Sequence, residues 1–412
     1  VYRLTTSLQN YAWGSRTAIP TLLGIDPTGE PVAEAWFGAH ASAPSHCVRE
    51  DGTAGAGGGP GRGAPAGAPI PEVIGARPVE VLGADVEARF GPVLPYLLKV
   101  IAADTPLSLQ VHPHVERARQ GFEEEEAAGV PLDAPHRSFR DRNHKPELVY
   151  ALTRFQAMCG FRAPRRAVEL LDGLDAPLAR DLRALLAADP SAAGIEAAFT
   201  RLLRPETRPS PAEVAEVAAA CAVRLASGSP SPRADRTVAR LQEAYPGDPG
   251  VVTSLLLNPV TLQPGEALFV PAGGVHAYLE GVGVEIMASS DNVLRAGLTP
   301  KHVDVDELLR NVDYVAAPPV RIAPERFHGA TRVYYAPVDD FELSVTRVGD
   351  NQDHPLPGRG PRVLLCLEGT VHVSSAGDGE LALARGQAAF VPAADGALVV
   401  RGNGTLVQAD VP

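Results

Sequence analysis

The spacing of apolar residues changes twice along the chain, and this limits the fold more than any other feature. From Val1 to roughly Gly160 the apolar runs are short and bounded by turn residues, as in Leu94-Pro95-Tyr96-Leu97-Leu98-Lys99-Val100-Ile101 and Leu148-Val149-Tyr150-Ala151-Leu152, a pattern that predicts strands. From Pro164 to about Ala244 the period lengthens: Val168, Leu170, Leu171, Leu174, Leu178, Leu182, Leu185 and Leu186 recur at helical spacing, and residues 212–225 and 236–245 continue it. Pro211 stands where a helix would begin, and the Pro/Ser run at residues 227–232 breaks one helix from the next. After about Ala316 strands return at residues 332–335, 341–345, 362–367, 370–373 and 398–400. The predicted class is therefore mainly β with a small helical domain inserted. Residues 115–128, which include the acidic run Glu123–Glu126, read as an exposed helix, and the Gly/Ala/Pro-rich residues 52–69 as a surface loop.

The chain also repeats itself. Pro264-Gly265-Glu266-Ala267-Leu268-Phe269-Val270-Pro271-Ala272 aligns with Arg385-Gly386-Gln387-Ala388-Ala389-Phe390-Val391-Pro392-Ala393, and Ala397 then falls where the first copy has His276. A contiguous match of this kind predicts two related β units, the second without its histidine.

Three short segments supply side chains suited to one divalent metal ion. In Ser108-Leu109-Gln110-Val111-His112-Pro113, Gln110 and His112 stand two apart in a predicted strand and so share a face. Asn143-His144-Lys145-Pro146-Glu147 offers Glu147, and Pro271-Ala272-Gly273-Gly274-Val275-His276 offers His276, at a Gly/Pro/Gly/His spacing that aims a histidine into the mouth of a small barrel. One amide oxygen, two imidazoles and one carboxylate suit Zn²⁺, with an open position for chemistry. His114 and His144 are rival ligands, although Pro113 should end the strand before His114.

Acidic residues outnumber basic ones, 49 to 37, for a net charge of −12, which argues against nucleic acid or an anionic membrane as a partner. A phosphorylated substrate would need a local cationic pocket. Cys47, Cys159, Cys221 and Cys366 are scattered without C-x-x-C pairing, and the start of the sequence shows no apolar span of signal-peptide type. Buried thiols in a reducing cytoplasm are the expectation. Of the 37 basic residues only Lys99, Lys145 and Lys301 are lysine. Where arginine serves as the generic cation, these three lysines become suspects for phosphate contact or proton transfer. For Lys99 a barrel-lining contact and a satisfied structural charge are equally open.

Tyr11-Ala12-Trp13-Gly14, Glu34-Ala35-Trp36-Phe37-Gly38-Ala39-His40, residues 94–113 and Asn143 to Glu147 carry a family resemblance. So, above all, does the stretch from His276-Ala277-Tyr278-Leu279 through Ser290-Asp291-Asn292-Val293-Leu294-Arg295-Ala296-Gly297-Leu298-Thr299-Pro300-Lys301. Together they resemble the type I mannose-6-phosphate isomerase family, zinc enzymes of the cupin superfamily, over most of the chain. The resemblance implies two cupin-like jelly-roll β-barrels plus a small α-helical domain. Residues 1–160 and 251–317 would form the catalytic barrel, 161–250 the helical insert, and 318–412 a C-terminal barrel without metal. It also implies one zinc ion per chain on Gln110, His112, Glu147 and His276, with Arg295 as the catalytic arginine. The implied substrate is a small sugar phosphate, handled by a monomer.

Aldose–ketose conversion moves a proton between C1 and C2 through an enediol, which requires a base, a stabiliser of the enediolate and a clamp on the phosphate. Arg295 suits the oxyanion, while Asp291, Glu285 and Lys301 are the candidates for proton transfer. Ser108, Lys145 and Tyr278 are the candidate substrate contacts. The alternative is a non-catalytic sugar-phosphate-binding protein on the same scaffold, which would leave the metal set and the arginine, acid and lysine cluster unexplained. A cupin oxygenase would favour an iron site richer in histidine, and Gln110 counts against it.

Overall fold

The computed structural model describes residues 1–48, 67–375 and 380–412. The loop expected at residues 52–69 therefore lies almost wholly outside the described residues. Two antiparallel sheets dominate. One runs from Val320–Ile322 through Ala267–Val270, Glu147–Ala151, His276–Ala288, Tyr96–Ala103 and Glu34–Gly38 to Ser7–Gln9. The strand His276–Ala288 serves two sets of neighbours. Its first residues pair with Leu109–Val111 and Phe155–Phe161, and the rest with Tyr96–Ala103 and Glu147–Ala151. A register shift between Tyr278 and Glu280 marks the change of partner, as expected where a strand bends from one layer to the next.

The other sheet follows the order Glu325–Phe327, Thr331–Tyr334, Glu342–Pro355, Leu398–Asp410, Arg362–Ser375, Ala388–Val391, Tyr2–Leu4 and Cys47–Val48. Tyr2–Leu4 pairs with Ala388–Val391, so the first strand of the chain belongs to this second sheet and the expected boundary at residues 1–160 is too simple. Pairing across nearly the whole sequence leaves no local signature. Phe37, Leu98, Val100, Leu148, Ile286, Phe341, Leu343, Val363 and Phe390 form one apolar core between the two sheets. The runs at 362–367 and 370–373, read as two strands, are one strand with an irregularity between Cys366 and Glu368. Within residues 1–160 four short helices, Ala18–Leu23, Ile70–Ala76, Pro78–Leu82 and Ala84–Phe90, were not legible; at five to seven residues each they are too short to show a helical period.

Both copies of the repeat have one conformation. Gly265 and Gly386 take left-handed φ of 92° and 82°, each leading into a buried four-residue strand, Ala267–Val270 and Ala388–Val391. His276 opens the long strand after the first copy, and Ala397 immediately precedes Leu398–Asp410 after the second.

The period change after Pro164 becomes six helices, from Pro164–Leu171 to Gly250–Thr253. Pro211 does start one: Ser210 and Glu213 exchange the two hydrogen bonds of a capping box. Leu170, Leu178, Leu182, Phe199, Val214 and Leu241 pack with Leu109, Val111, Ala277 and Leu294. By strand alternation the helices thus cover the back of strands whose other face carries Gln110, His276 and Arg295. Inside the insert Asp235 is fully buried against Arg224, with Oδ1 2.5 Å and Oδ2 3.1 Å from its guanidinium. Asp235→Ala leaves Arg224, whose side chain is only 10% exposed, without its carboxylate partner, and is expected to destabilise the fold by about 3–5 kcal/mol. Glu169→Ala, which opens the exposed pair with Arg166, should cost under about 1 kcal/mol. Urea unfolding of the two variants checks the contrast. Among the described residues no helix is long and apolar enough to cross a membrane.

Candidate active site

Strand ends deliver the candidate metal-site side chains to one place. Gln110 lies directly opposite His276 on one side and Arg295 on the other, so the three share a sheet face. His112 follows the strand Leu109–Val111, and Glu147 opens its own strand opposite Val270 and Met287. Gly273 fixes the turn before His276. Its φ is 76°, its N–H donates to the His112 carbonyl at 2.8 Å, and a Cβ there would sit 2.6 Å from the Asp313 carboxylate. That Cβ would also sit 2.8 Å from His114 Nε2, so a side chain at 273 would force this turn to shift.

His112, Glu147 and His276 are all buried, with ligand atoms within 4.8 Å of one another, the only such grouping among the described residues. Nε2 of His112 lies 3.0 Å from Glu147 Oε1, and Nε2 of His276 lies 3.5 Å from Oε2. Each Nδ1 faces a backbone carbonyl, Asn292 at 2.7 Å and Gly274 at 3.0 Å. A carbonyl only accepts, so each Nδ1 carries the proton and each Nε2 presents a lone pair toward the carboxylate. His112 Nε2 is accordingly buried with no hydrogen bond of proper geometry despite its close neighbour. Burial pushes the His112 pKa down to about 4, keeping the ring neutral. Burial alone would raise Glu147, and the Lys145 ammonium 3.4 Å from Oε1 opposes this, holding the carboxyl below the usual carboxylate range. Two imidazole lone pairs and a carboxylate aimed at one point need a cation between them, and a divalent metal fits this donor set.

The rival histidines are taken elsewhere. His114 is half-exposed and sits 3.3 Å from Asp313, and His144 is 3.0 Å from Asp340.

Behind the cluster runs a cross-strand row in which Lys99 lies opposite Trp36 on one side and Glu285 on the other. Lys99 Nζ is 3.6 Å from Glu285, 3.8 Å from Glu34 and 4.9 Å from the Trp36 ring centroid, while Trp36 Nε1 donates to Glu34 at 2.8 Å. Burial and the nearby Glu147 push Glu285 up to about 7, against the pull of Lys99. Glu285 is thus a buried partner of Lys99. Tyr278, expected as a substrate contact, is buried and donates its hydroxyl to Glu147 Oε2 at 3.3 Å, which makes it a support for that carboxylate. Lys145 Nζ is 3.4 Å from Glu147 Oε1. Ser108 is half-buried, two residues before Gln110.

The loops at 140–143 and 290–292 are stitched together. Asp141 accepts from Asp291 N at 2.7 Å and Ser290 Oγ at 2.8 Å, and Asn292 Oδ1 accepts from Arg140 N at 2.7 Å. Asn292 also tethers His112, so this stitching positions a candidate metal ligand as well as Asp291. Burial raises Asp291, but the His40 ring at 3.1 Å, with Lys145 and Lys99 behind it, holds its pKa below the usual value. Burial, and after it the charge of Arg140, lowers the Arg295 pKa, while burial and then Arg295 and Arg140 lower that of Lys301. Arg140, Arg295 and Lys301 therefore form a cationic group beside the metal cluster, none of them ion-paired among the described residues. All three lysines of the chain fall at this site. Sequence reasoning missed Arg140, His40 and Asn292, which sit in irregular loops and are gathered only by the Asp141 network.

The family model for the catalytic domain of type I phosphomannose isomerase matches residues 1–164. Mannose-6-phosphate isomerase of Escherichia coli strain K12 is 38% identical over 411 residues, covering 98% of each chain. The chain belongs to the type I mannose-6-phosphate isomerases. The family spans wide evolutionary distance, for the rat enzyme of the same name is 32% identical over 95% of this chain and 93% of its own. Among solved structures, mannose 6-phosphate isomerase from Salmonella typhimurium bound to fructose 6-phosphate and zinc superposes with a TM-score of 0.86 at 37% identity, over 99% of this chain and 98% of that one.

Proposed function

We infer that the protein interconverts D-mannose 6-phosphate and D-fructose 6-phosphate through an enediol, with one zinc ion held by Gln110, His112, Glu147 and His276. The observation that carries this is the convergence of two imidazole lone pairs and a carboxylate beside an unpaired cationic group. Zinc bound there supplies Lewis-acid polarisation of the sugar's carbonyl and hydroxyl oxygens. Arg140 and Lys301 clamp the phosphate, and Arg295, next to Gln110 in register, stabilises the enediolate. Asp291 is ionised and 44% exposed, which makes it the favoured proton-transfer carboxylate, while Glu285 holds Lys99 and Lys301 serves charge rather than proton transfer. Ser108 and Lys145 contact the sugar phosphate. The second sheet is a duplicated, cupin-like unit whose interior, from Leu364, Cys366, Val371, Val373, Leu383 and Val400, is filled with apolar side chains. The protein acts as a cytoplasmic monomer.

The test is incubation of the zinc-loaded protein with mannose 6-phosphate in deuterium oxide. Fructose 6-phosphate should form, with deuterium entering C2 of the mannose 6-phosphate pool. Tight binding without either change would favour a sugar-phosphate sensor.

Lys145→Arg and Lys301→Arg keep the charge but replace a compact ammonium with a bulky fork. Both are expected to lower kcat/KM by about tenfold or more, measured by steady-state isomerisation. Wild-type kinetics in both variants would remove the lysines from the site.

A further inference from the structure

A second cationic cavity lies on the far side of the Glu147–Ala151 strand, at the seam between the two sheets. It has a volume of about 160 Å³ and is lined by Tyr150, Arg326, Gly329, Ala330, Arg332, Val345 and Arg347. Register places the arginines together: Arg326 is opposite Arg332, Arg332 is opposite Val345, and Arg347 stands two residues beyond Val345. All four side chains therefore occupy one face of the second sheet. Further along, that face is the inter-sheet core, with Leu343 and Val345 buried in it. Arginines continue an apolar stripe where the sheet overhangs Tyr150.

None of Arg326, Arg332 and Arg347 has an acidic partner among the described residues. Like charges directly opposite on neighbouring strands are destabilising, and in a chain of net charge −12 an un-neutralised group of three cations is out of keeping with its surroundings. Tyr334, two residues from Arg332, closes one side by donating to the Gly265 carbonyl at 2.9 Å and packing edge-on to Tyr150 at 5.4 Å. The Tyr150 hydroxyl has no hydrogen-bond partner among the described residues and is a further donor.

We propose that this cavity is a binding site for the phosphate group of a small molecule, separate from the isomerase site. Three guanidinium forks around a compact space match a tetrahedral oxyanion with several acceptor oxygens better than a planar carboxylate. The volume admits a phosphate group and excludes the body of a macromolecule, and the overall negative charge repels polyanionic polymers. Residue alternation puts Tyr150 on the opposite face of its strand from Glu147, so the two sites do not share side chains.

The probe is labelled inorganic phosphate in equilibrium dialysis at constant ionic strength, with the full chain. Wild type should bind two phosphates per chain, one at this cavity and one at the group formed by Arg140, Arg295 and Lys301. Arg332→Met and, independently, Arg347→Met should weaken one of the two by at least about tenfold, the scale for losing a charge-assisted pair, and leave isomerase kcat unchanged. Arg332→Lys should be intermediate. Lys301→Met should weaken the other site only, which keeps a failure of the isomerase assignment distinct from a failure here. Phosphate binding in Arg332→Met and Arg347→Met with wild-type stoichiometry and affinity overturns the proposal. So does a wild type that binds a single phosphate, lost on Lys301→Met.

Discussion

His276→Ala is expected to abolish tightly held zinc and isomerase turnover together. The side chain supplies one of two Nε2 lone pairs facing Glu147, and its loss leaves a buried carboxylate with His112 and an amide oxygen, a set too weak to hold the ion against dilution. The backbone should hold, since Ala397 occupies the matching place in the second copy of the repeat. Zinc analysis after dialysis should give one ion per chain for wild type and none for the variant, with the folded circular dichroism spectrum retained and the midpoint of unfolding lowered by loss of the ion's stabilisation. A second tight ion, surviving His276→Ala, would contradict the reading of the second sheet as metal-free. Stoichiometric zinc in the variant would remove His276 from the ligand set.

Arg295→Ala is expected to lower kcat by on the order of 10² to 10³ while zinc content stays intact, the scale for losing one oxyanion-stabilising donor. Arg295 is opposite Gln110 in register and has no acidic partner among the described residues, so its charge is free for the substrate. The enediolate is more negative than the ground-state sugar, so the loss should fall mainly on the transition state. Arg295→Lys should recover only part of it, because a point charge cannot reproduce the planar fork. A rise in KM alone, with kcat and C2 exchange unchanged, would make Arg295 a clamp instead of a stabiliser.

The candidate ligand set could be read from the sequence because each of its residues sits in a short local signature. Gln110 and His112 obey strand alternation, Glu147 opens a strand, and His276 follows a turn that only glycine at 273 permits. What strand register and loop contacts create was not legible. The role of Lys99 depends on Trp36 and Glu285 lying on either side of it, and Arg140 reaches the site because Asn292 and Asp141 bind its loop. Tyr278 read as a substrate contact because its motif neighbours are site residues, yet burial turns its hydroxyl onto Glu147. On the scale of the fold, the period change located the helical insert, whereas the partnership of Tyr2–Leu4 with Ala388–Val391 has no local trace.

The most direct test of the account is mannose 6-phosphate isomerisation by protein stripped of metal with a chelator, then titrated with Zn²⁺. The expected result is loss of fructose 6-phosphate formation on stripping, and recovery that saturates at one zinc per chain. Full turnover in metal-free protein would contradict it.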